Sequence, residues 1–369
     1  MRRRMRPLRP VIPKAPALPL STAASMADMP RRLRRRRSPG SFMSFVAAWL
    51  AWLGRQGTRA VAASLFIGIA LPPLAALLKP LFVFALFAVL CLAFLRVDPV
   101  EVRRHFGHPW RIAAAASWMM LATPMMIGLT LLALGLSERL PGLYVAMILQ
   151  AAGPPLTSAP ALAALMGLDA ALSLATVVVC TAIMPLTAPA FVALFIGGGI
   201  ALSPFALGAK LLALLGGAAL VAALVRRIAG QPWIEARMAH IDGLSVIALF
   251  VFAVALMDGM LQAALNDPIK VLGLTALSFA LSLGLIALTT LVFARLGLAQ
   301  ALSLGLAAGN RNMGVMLAAA GAAVPELTWL YFAIAQFPIY LLPAMLKPLA
   351  LRLAPAASGE QSGQSEQSG

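Results

Sequence analysis

The chain has 369 residues, of which 61% are hydrophobic and only 11% charged, against about 45–50% apolar and about 25% charged in an ordinary soluble domain. Too few polar groups remain to cover the apolar surface, which excludes a soluble enzyme and, away from the two ends, a disordered chain. The net charge of +17 is concentrated at one end, since residues 1–58 hold 13 of the 29 Lys and Arg with Asp28 as their one acid.

Residues 1–42 are rich in Pro, Arg and Ser and have no periodicity. They read as a disordered basic tail, or as a misassigned start upstream of Met43, which opens the run MSFVAAWLAWLGRQGTRAV. They contain no apolar stretch of the kind a secretory signal needs. An Arg-rich end is the ordinary cytoplasmic flank of a membrane protein and touches anionic lipid. Arg31–Arg37 has no interleaved aromatic side chains to stack bases, so no nucleic-acid partner is expected. Residues 43–58, with Trp49 and Trp52, hold an apolar run short for a span and read as an interfacial segment.

A bilayer core needs roughly 20 apolar residues per helix. Ten segments meet that length, near 59–78, 80–97, 111–136, 143–166, 170–196, 203–225, 243–264, 271–294, 299–323 and 327–351. Residues 355–369 form a polar, low-complexity tail. Placing the N-terminus inside puts Arg96, Arg103, Arg104, Arg111, Arg226, Arg227, Arg237, Arg295, Lys347 and Arg352 on the cytoplasmic side. Only Lys79, Arg139, Lys210 and Lys270 then lie outside, ten basic residues against four. Positive charge stays inside, so both termini are expected in the cytoplasm. The setting expected is a plasma membrane, read as a bacterial inner membrane.

Ten spans divide into two fives, 59–196 and 203–352. Five is odd, so two halves of one fold must be inverted relative to each other, as in secondary transporters. The fourth segment of each half is interrupted: by Gly153-Pro154-Pro155-Leu156-Thr157-Ser158-Ala159-Pro160 in the first and by Gly309-Asn310-Arg311-Asn312-Met313-Gly314 in the second. Matched breaks of this kind are the best sequence pointer to a transport site. The fold class expected is therefore all-α and integral to the membrane, with ten transmembrane helices in two inverted five-helix repeats whose discontinuous fourth and ninth helices cross. Pro124 in the third segment, standing alone, reads as a kink.

Arg311 sits 13th of 25 residues in its segment, too deep to reach a headgroup. A central Arg costs at least about 2.5–3.5 kcal/mol on insertion scales, so it must face protein or a cavity and have a partner. It reads as the binder of an anionic substrate or as a fixed charge standing where other carriers hold a cation. A structural ion pair is the plainer alternative, with Asp258 as the candidate partner. Asn310 and Asn312 flank Arg311. Gln150, Thr157 and Ser158 lie at the first break, Ser173, Thr176 and Thr181 on the fifth segment, and Gln336 on the tenth. Any of these could supply oxygens to a small cavity. Asp169 reads as a helix cap. His105, His108 and His240 fall in connections, and Cys91 and Cys180 in apolar runs, so no disulfide framework, metal site, cofactor site or catalytic motif is expected.

The run GPPLTSAPALAALMGLDAALSLATVVVCTAIMPLTAP, Gly153 to Pro189, resembles the fourth and fifth helices of the bile acid:sodium symporter family. ALSLGLAAGNRNMGVMLAAA, Ala301 to Ala320, resembles its ninth. The resemblance implies a core of helices 3–5 and 8–10, a panel of helices 1, 2, 6 and 7, alternating access, and an organic-anion substrate. By the family pattern sodium is held by Ser and Asn at the first break, Ser and Thr on the fifth helix, and Glu and Gln on the ninth. The matching positions here are Ala159 and Pro160, Ser173 and Val177, and Ala307 and Arg311. Only Ser173 keeps its oxygen. A cation held 4–5 Å from a guanidinium would cost roughly 3–4 kcal/mol at an effective dielectric of about 20. The departures imply a divergent member without the family's usual sodium sites, with Arg311 as built-in charge and the protein working as a uniporter, an exchanger or a proton-coupled carrier. Two alternatives stand beside this reading: an efflux permease of the same superfamily, although the reactive cysteine of arsenite permeases is missing from the first break, and a non-transporting receptor or scaffold.

Overall fold

The computed structural model describes residues 42–97, 109–197 and 203–353. The two terminal tails, Arg103 and Arg104, and His105 and His108 lie outside the described residues. The chain divides into one unit ending at Phe45 and a second beginning at Val46, which holds both interrupted segments and the cavities beside them.

Almost every described residue is helical, and none belongs to a strand. Apart from the short helical turns Leu136–Arg139 and Gln231–Ala236, the helices are α1 (Phe42–Ala70), α2 (Pro72–Arg96), α3 (Pro109–Ala133), α4 (Pro141–Ala152), α5 (Ala159–Leu165), α6 (Ala170–Phe195), α7 (Pro204–Ala229), α8 (Met238–Asn266), α9 (Pro268–Val292), α10 (Leu298–Gly309), α11 (Met313–Ala320), α12 (Glu326–Ile334) and α13 (Gln336–Leu353). Seven helical stretches are long and apolar enough to cross a membrane: α2, α3, α6, α7, α8, α9 and Glu326–Pro348. The molecule is a multi-pass membrane protein, and large apolar side chains such as Leu186, Phe205 and Ile269 stand exposed on its outer faces, where lipid would cover them.

Local chemistry sets the helix ends. Pro occupies the first turn of α2, α4, α5, α7 and α9, where its missing N–H costs no hydrogen bond. Asp169, Ser203 and Asp267 cap α6, α7 and α9 through their side chains. At the end of α2, Arg226 donates to the carbonyls of Phe94, Leu95 and Val97, at 3.3, 3.1 and 2.7 Å.

One boundary differs from that expected of the sequence. Hydropathy puts the first two segments at 59–78 and 80–97, with Lys79-Pro80 between them. The chain instead breaks at Leu71, and α2 runs through Lys79–Leu81 as a single tight turn. The pair Pro72-Pro73 starts a helix more effectively than Pro80 ends one. Within α1 the backbone leaves helical geometry at Gly57 (φ 34°), so a kink separates the part before it from the apolar stretch Ala60–Ala70. There Gly54 packs so closely on Gly243 of α8 that an added Cβ would lie 2.9 Å from the Gly243 nitrogen.

The interrupted helices lie at the centre. Every residue of α4 from Gly142 to Ala152 is buried, as are Ser303 to Gly309 of α10. Helices of 12 residues reach only about 18 Å, so neither crosses a bilayer unaided.

Candidate functional site

Proline writes the first break. The N–H groups that would close the helix on Gln150 and Ala151 belong to Pro154 and Pro155, which have none. Gly153 N–H returns to Leu149 and Gln150, and the Ala151 carbonyl is left over. The second break lies against the first. Leu156 N–H donates to the Asn310 carbonyl at 2.8 Å, and Asn312 N–H donates to the Pro154 carbonyl at 2.7 Å. Pro155 and Arg311 thus face each other as an isolated antiparallel bridge. Each unwound segment satisfies the other's backbone at a depth where no water would do so.

Arg311 is wholly buried beside this bridge. Its Nε donates to Ala308 O at 2.9 Å. Its Nη1 donates to Met119 O at 2.8 Å and Gly153 O at 2.9 Å, with a longer contact to Ala151 O at 3.4 Å. Its Nη2 donates to Thr123 Oγ1 at 2.5 Å. The acceptors are free for local reasons. The Ala151 carbonyl has lost its donor to Pro155. The Ala308 carbonyl is free because Asn312 N–H turns to Pro154. Residues Trp118–Ala122 form a π turn in which Thr123 N–H reaches back to Trp118 O, so Met119 O loses its backbone donor and accepts from the Thr123 hydroxyl, at 2.8 Å, as well as from Arg311. The expected pairing of Arg311 with Asp258 is corrected: Asp258 lies in the turn of α8 before Gly259 and binds Lys79 Nζ at 2.8 Å. Among the described residues no carboxylate pairs with Arg311.

A cavity of about 290 Å³ lies against the crossing. Thr157 and Ser158 of the first break line it, with Asn312 of the second and Gln336 and Tyr340 of α13. Phe252 and Arg96 also line it, and Arg96 is paired with Asp242 at 2.8 Å. Among the described residues no Asp or Glu lines this cavity. A second, more apolar cavity of about 530 Å³ between α6 and α7 shares Ala93, Val97, Thr157 and Leu174 with it.

Of the residues expected at the site, Thr157, Ser158, Asn312 and Gln336 come together on the cavity wall. Arg311 borders the cavity but presents no surface to it, so direct contact with a bound anion would first require its present bonds to open. Gln150 is buried away from the cavity and accepts from the Tyr331 hydroxyl at 2.6 Å. Asn310 donates to Leu306 O at 2.8 Å, and its Oδ1 has no partner among the described residues. Ser173 and Thr176 are fully buried with hydroxyls unpartnered among those residues, whereas Thr181 bonds Val177 O at 2.8 Å. Asp169 accepts from Leu172 N–H at 2.8 Å, as a cap does. Sequence reasoning missed Thr123, the π turn, Tyr331 and Tyr340. Pro124, directly after the π turn, was the one available signal for the first two.

Of the positions that the resemblance matches to the family's sodium pattern, Ser173 keeps a hydroxyl with no partner among the described residues. Ala159, Pro160, Val177 and Ala307 offer no side-chain oxygen, and the Arg311 guanidinium occupies the nearby carbonyls. No family model matches this chain, and no curated protein matches it closely enough to place it.

Proposed function

We propose that the protein is a secondary transporter that moves a small organic anion across a plasma membrane by alternating access, and that it is a divergent relative of the bile acid:sodium symporters. The observation that carries this reading is the meeting of two interrupted segments, 153–158 and 310–312, through paired backbone bonds at the wall of a cavity. Unwound backbone deep in a membrane protein is tolerated where it is buried or lines a cavity.

The order of elements supports inverted repeats. Three helices precede each broken segment and one helical stretch follows it: α1, α2, α3, α4/α5 and α6, then α7, α8, α9, α10/α11 and α12/α13. If each broken pair makes one passage, this order accommodates ten crossings, and with an even number both termini would lie on the Arg-rich side, the cytoplasm of a bacterial inner membrane. The cargo would lie among Thr157, Ser158, Asn312 and Gln336. The N-terminal end of α11, at Asn312 and Met313, adds a positive dipole end. A cavity wall free of acidic side chains among the described residues favours an anion, and the volume suits a small one.

Counterflow of labelled carboxylates and sulfonates in proteoliposomes tests the proposal. Saturable counterflow that Asn312→Ala weakens is the expected result. A ligand that stabilises the purified protein but shows no counterflow would move the reading to a receptor.

A further inference from the structure

Arg311 is held as a bound cation would be. Its guanidinium is enclosed by four carbonyl oxygens and one hydroxyl: Met119 O and Thr123 Oγ1 from α3, Ala151 O and Gly153 O at the end of α4, and Ala308 O at the end of α10. The last carbonyls of a helix have no partner within it and carry the negative end of its dipole. Two such ends meet here. An unusual turn in a third helix turns one more oxygen toward the same point. Oxygen sets of this kind, made from unwound backbone and half-helix C-termini, hold the monovalent cations of transporters. In this chain the charge at that place is covalently attached.

We infer that the Arg311 guanidinium is a tethered replacement for a coupling cation. It ties α3 to both broken helices at the crossing, and it leaves no oxygen set there for sodium. This rests on the transporter reading for its consequence: the charge returns with the protein in every cycle, so no sodium gradient drives transport through this site. A side chain in salt-bridge service would have a carboxylate opposite it. A side chain in substrate service would show surface to the cavity. Arg311 has neither among the described residues.

The test is chemical rescue read by thermal unfolding of the purified full-length protein in detergent, with no transport assay involved. Arg311→Ala empties the cage. The expected result is a lowered unfolding midpoint that millimolar guanidinium chloride raises saturably, recovering more than half of the loss, while choline chloride at matched ionic strength does not. Wild type should respond to neither guanidinium nor sodium chloride over the same range. The inference is overturned if guanidinium shifts Arg311→Ala no more than choline does, or if sodium stabilises wild type saturably. Should Arg311→Ala fail to fold, Arg311→Lys supplies an ammonium that reaches fewer acceptors. It should melt below wild type and gain from guanidinium but not from sodium, and a saturable sodium gain would again overturn the inference. Failure of rescue would leave the transporter reading standing, and absence of counterflow would leave the tethered cation standing.

Discussion

Lys79 Nζ lies 2.8 Å from Asp258 Oδ2 and 5.2 Å from the centroid of the Trp329 ring. A second ion pair, Arg96 with Asp242 at 2.8 Å, joins the same two helices further along. Helices α2 and α8 therefore run antiparallel and are tied at two points, and the 18 residues from Lys79 to Arg96 span about 25 Å, close to a bilayer core. Between the pairs, Phe82 of α2 stacks on Phe252 of α8 with centroids 5.2 Å apart, and tilts onto Trp329 at the same separation. In the alternating-access cycle proposed above, these contacts would make α2 and α8 move as one piece.

Both pairs are partly open to solvent, with side chains 50% and 22% exposed for Lys79 and Asp258, and 39% and 40% for Arg96 and Asp242. Exposed pairs contribute at most about 1 kcal/mol. Lys79→Ala or Asp242→Ala should lower the unfolding midpoint only slightly. Lys79→Asp should lower it further by placing two acids together, and the exchange Lys79→Asp with Asp258→Lys should recover it. A large loss from Lys79→Ala that the charge exchange does not repair would show that the packing of the lysine stem over Trp329, and not the pair, matters here.

Tyr331 presents a different case, because its hydroxyl is buried and bonds Gln150 Oε1 at 2.6 Å. Removing one partner of a buried bond leaves the other unsatisfied, at a cost of about 1–3 kcal/mol. Tyr331→Phe should destabilise the fold by that order in chemical or thermal unfolding. Combining it with Gln150→Leu should cost less than the sum of the two single changes, since the double variant leaves no orphaned oxygen.

The glycines of α9 and α10 separate two roles of one residue type. A Cβ at Gly305 would lie 2.7 Å from Ile286 O, and one at Gly309 would lie 2.7 Å from Ser282 O. The α9–α10 packing depends on their having no side chain, and Gly309→Ala would push on the segment that carries Arg311. A Cβ at Gly273 or Gly284 on α9 meets nothing within 4 Å. Gly305→Ala and Gly309→Ala should each cost about 1–3 kcal/mol through overpacking. Gly273→Ala and Gly284→Ala should be neutral or stabilising by up to about 1 kcal/mol through helix propensity. Unfolding midpoints of the four variants, measured side by side, check the contrast.

The features legible in sequence were those with a one-dimensional signature. Gly and Pro clusters located both breaks, and the depth of Arg311 in an apolar run required it to be enclosed. The partner of Arg311 was not legible, because its acceptors are backbone carbonyls. Every residue has such an oxygen, and only the geometry of Pro155, the π turn at Trp118–Ala122 and the turned Asn312 N–H decides which are free. The partner of Asp258 was hidden for a related reason. With the first helix end placed near Lys79, that lysine falls in a connection and does not stand out as a side chain on α2.

Ser173 and Thr176 carry the last prediction. Each hydroxyl is fully buried and has no hydrogen-bond partner among the described residues. A serine or threonine in a helix ordinarily donates to the carbonyl one turn back, as Thr181 and Ser245 do here at 2.8 and 2.9 Å. An orphaned buried hydroxyl costs about 1–3 kcal/mol, so its removal should not destabilise the protein. Ser173→Ala and Thr176→Val should therefore match or exceed wild type in unfolding midpoint. If instead either variant is clearly less stable, the hydroxyl has a partner in solution, and a water held between α6 and its neighbours becomes the first candidate, since such sites are polar and buried. Unfolding in heavy and light water with neutron or high-resolution diffraction of the wild type would then locate it.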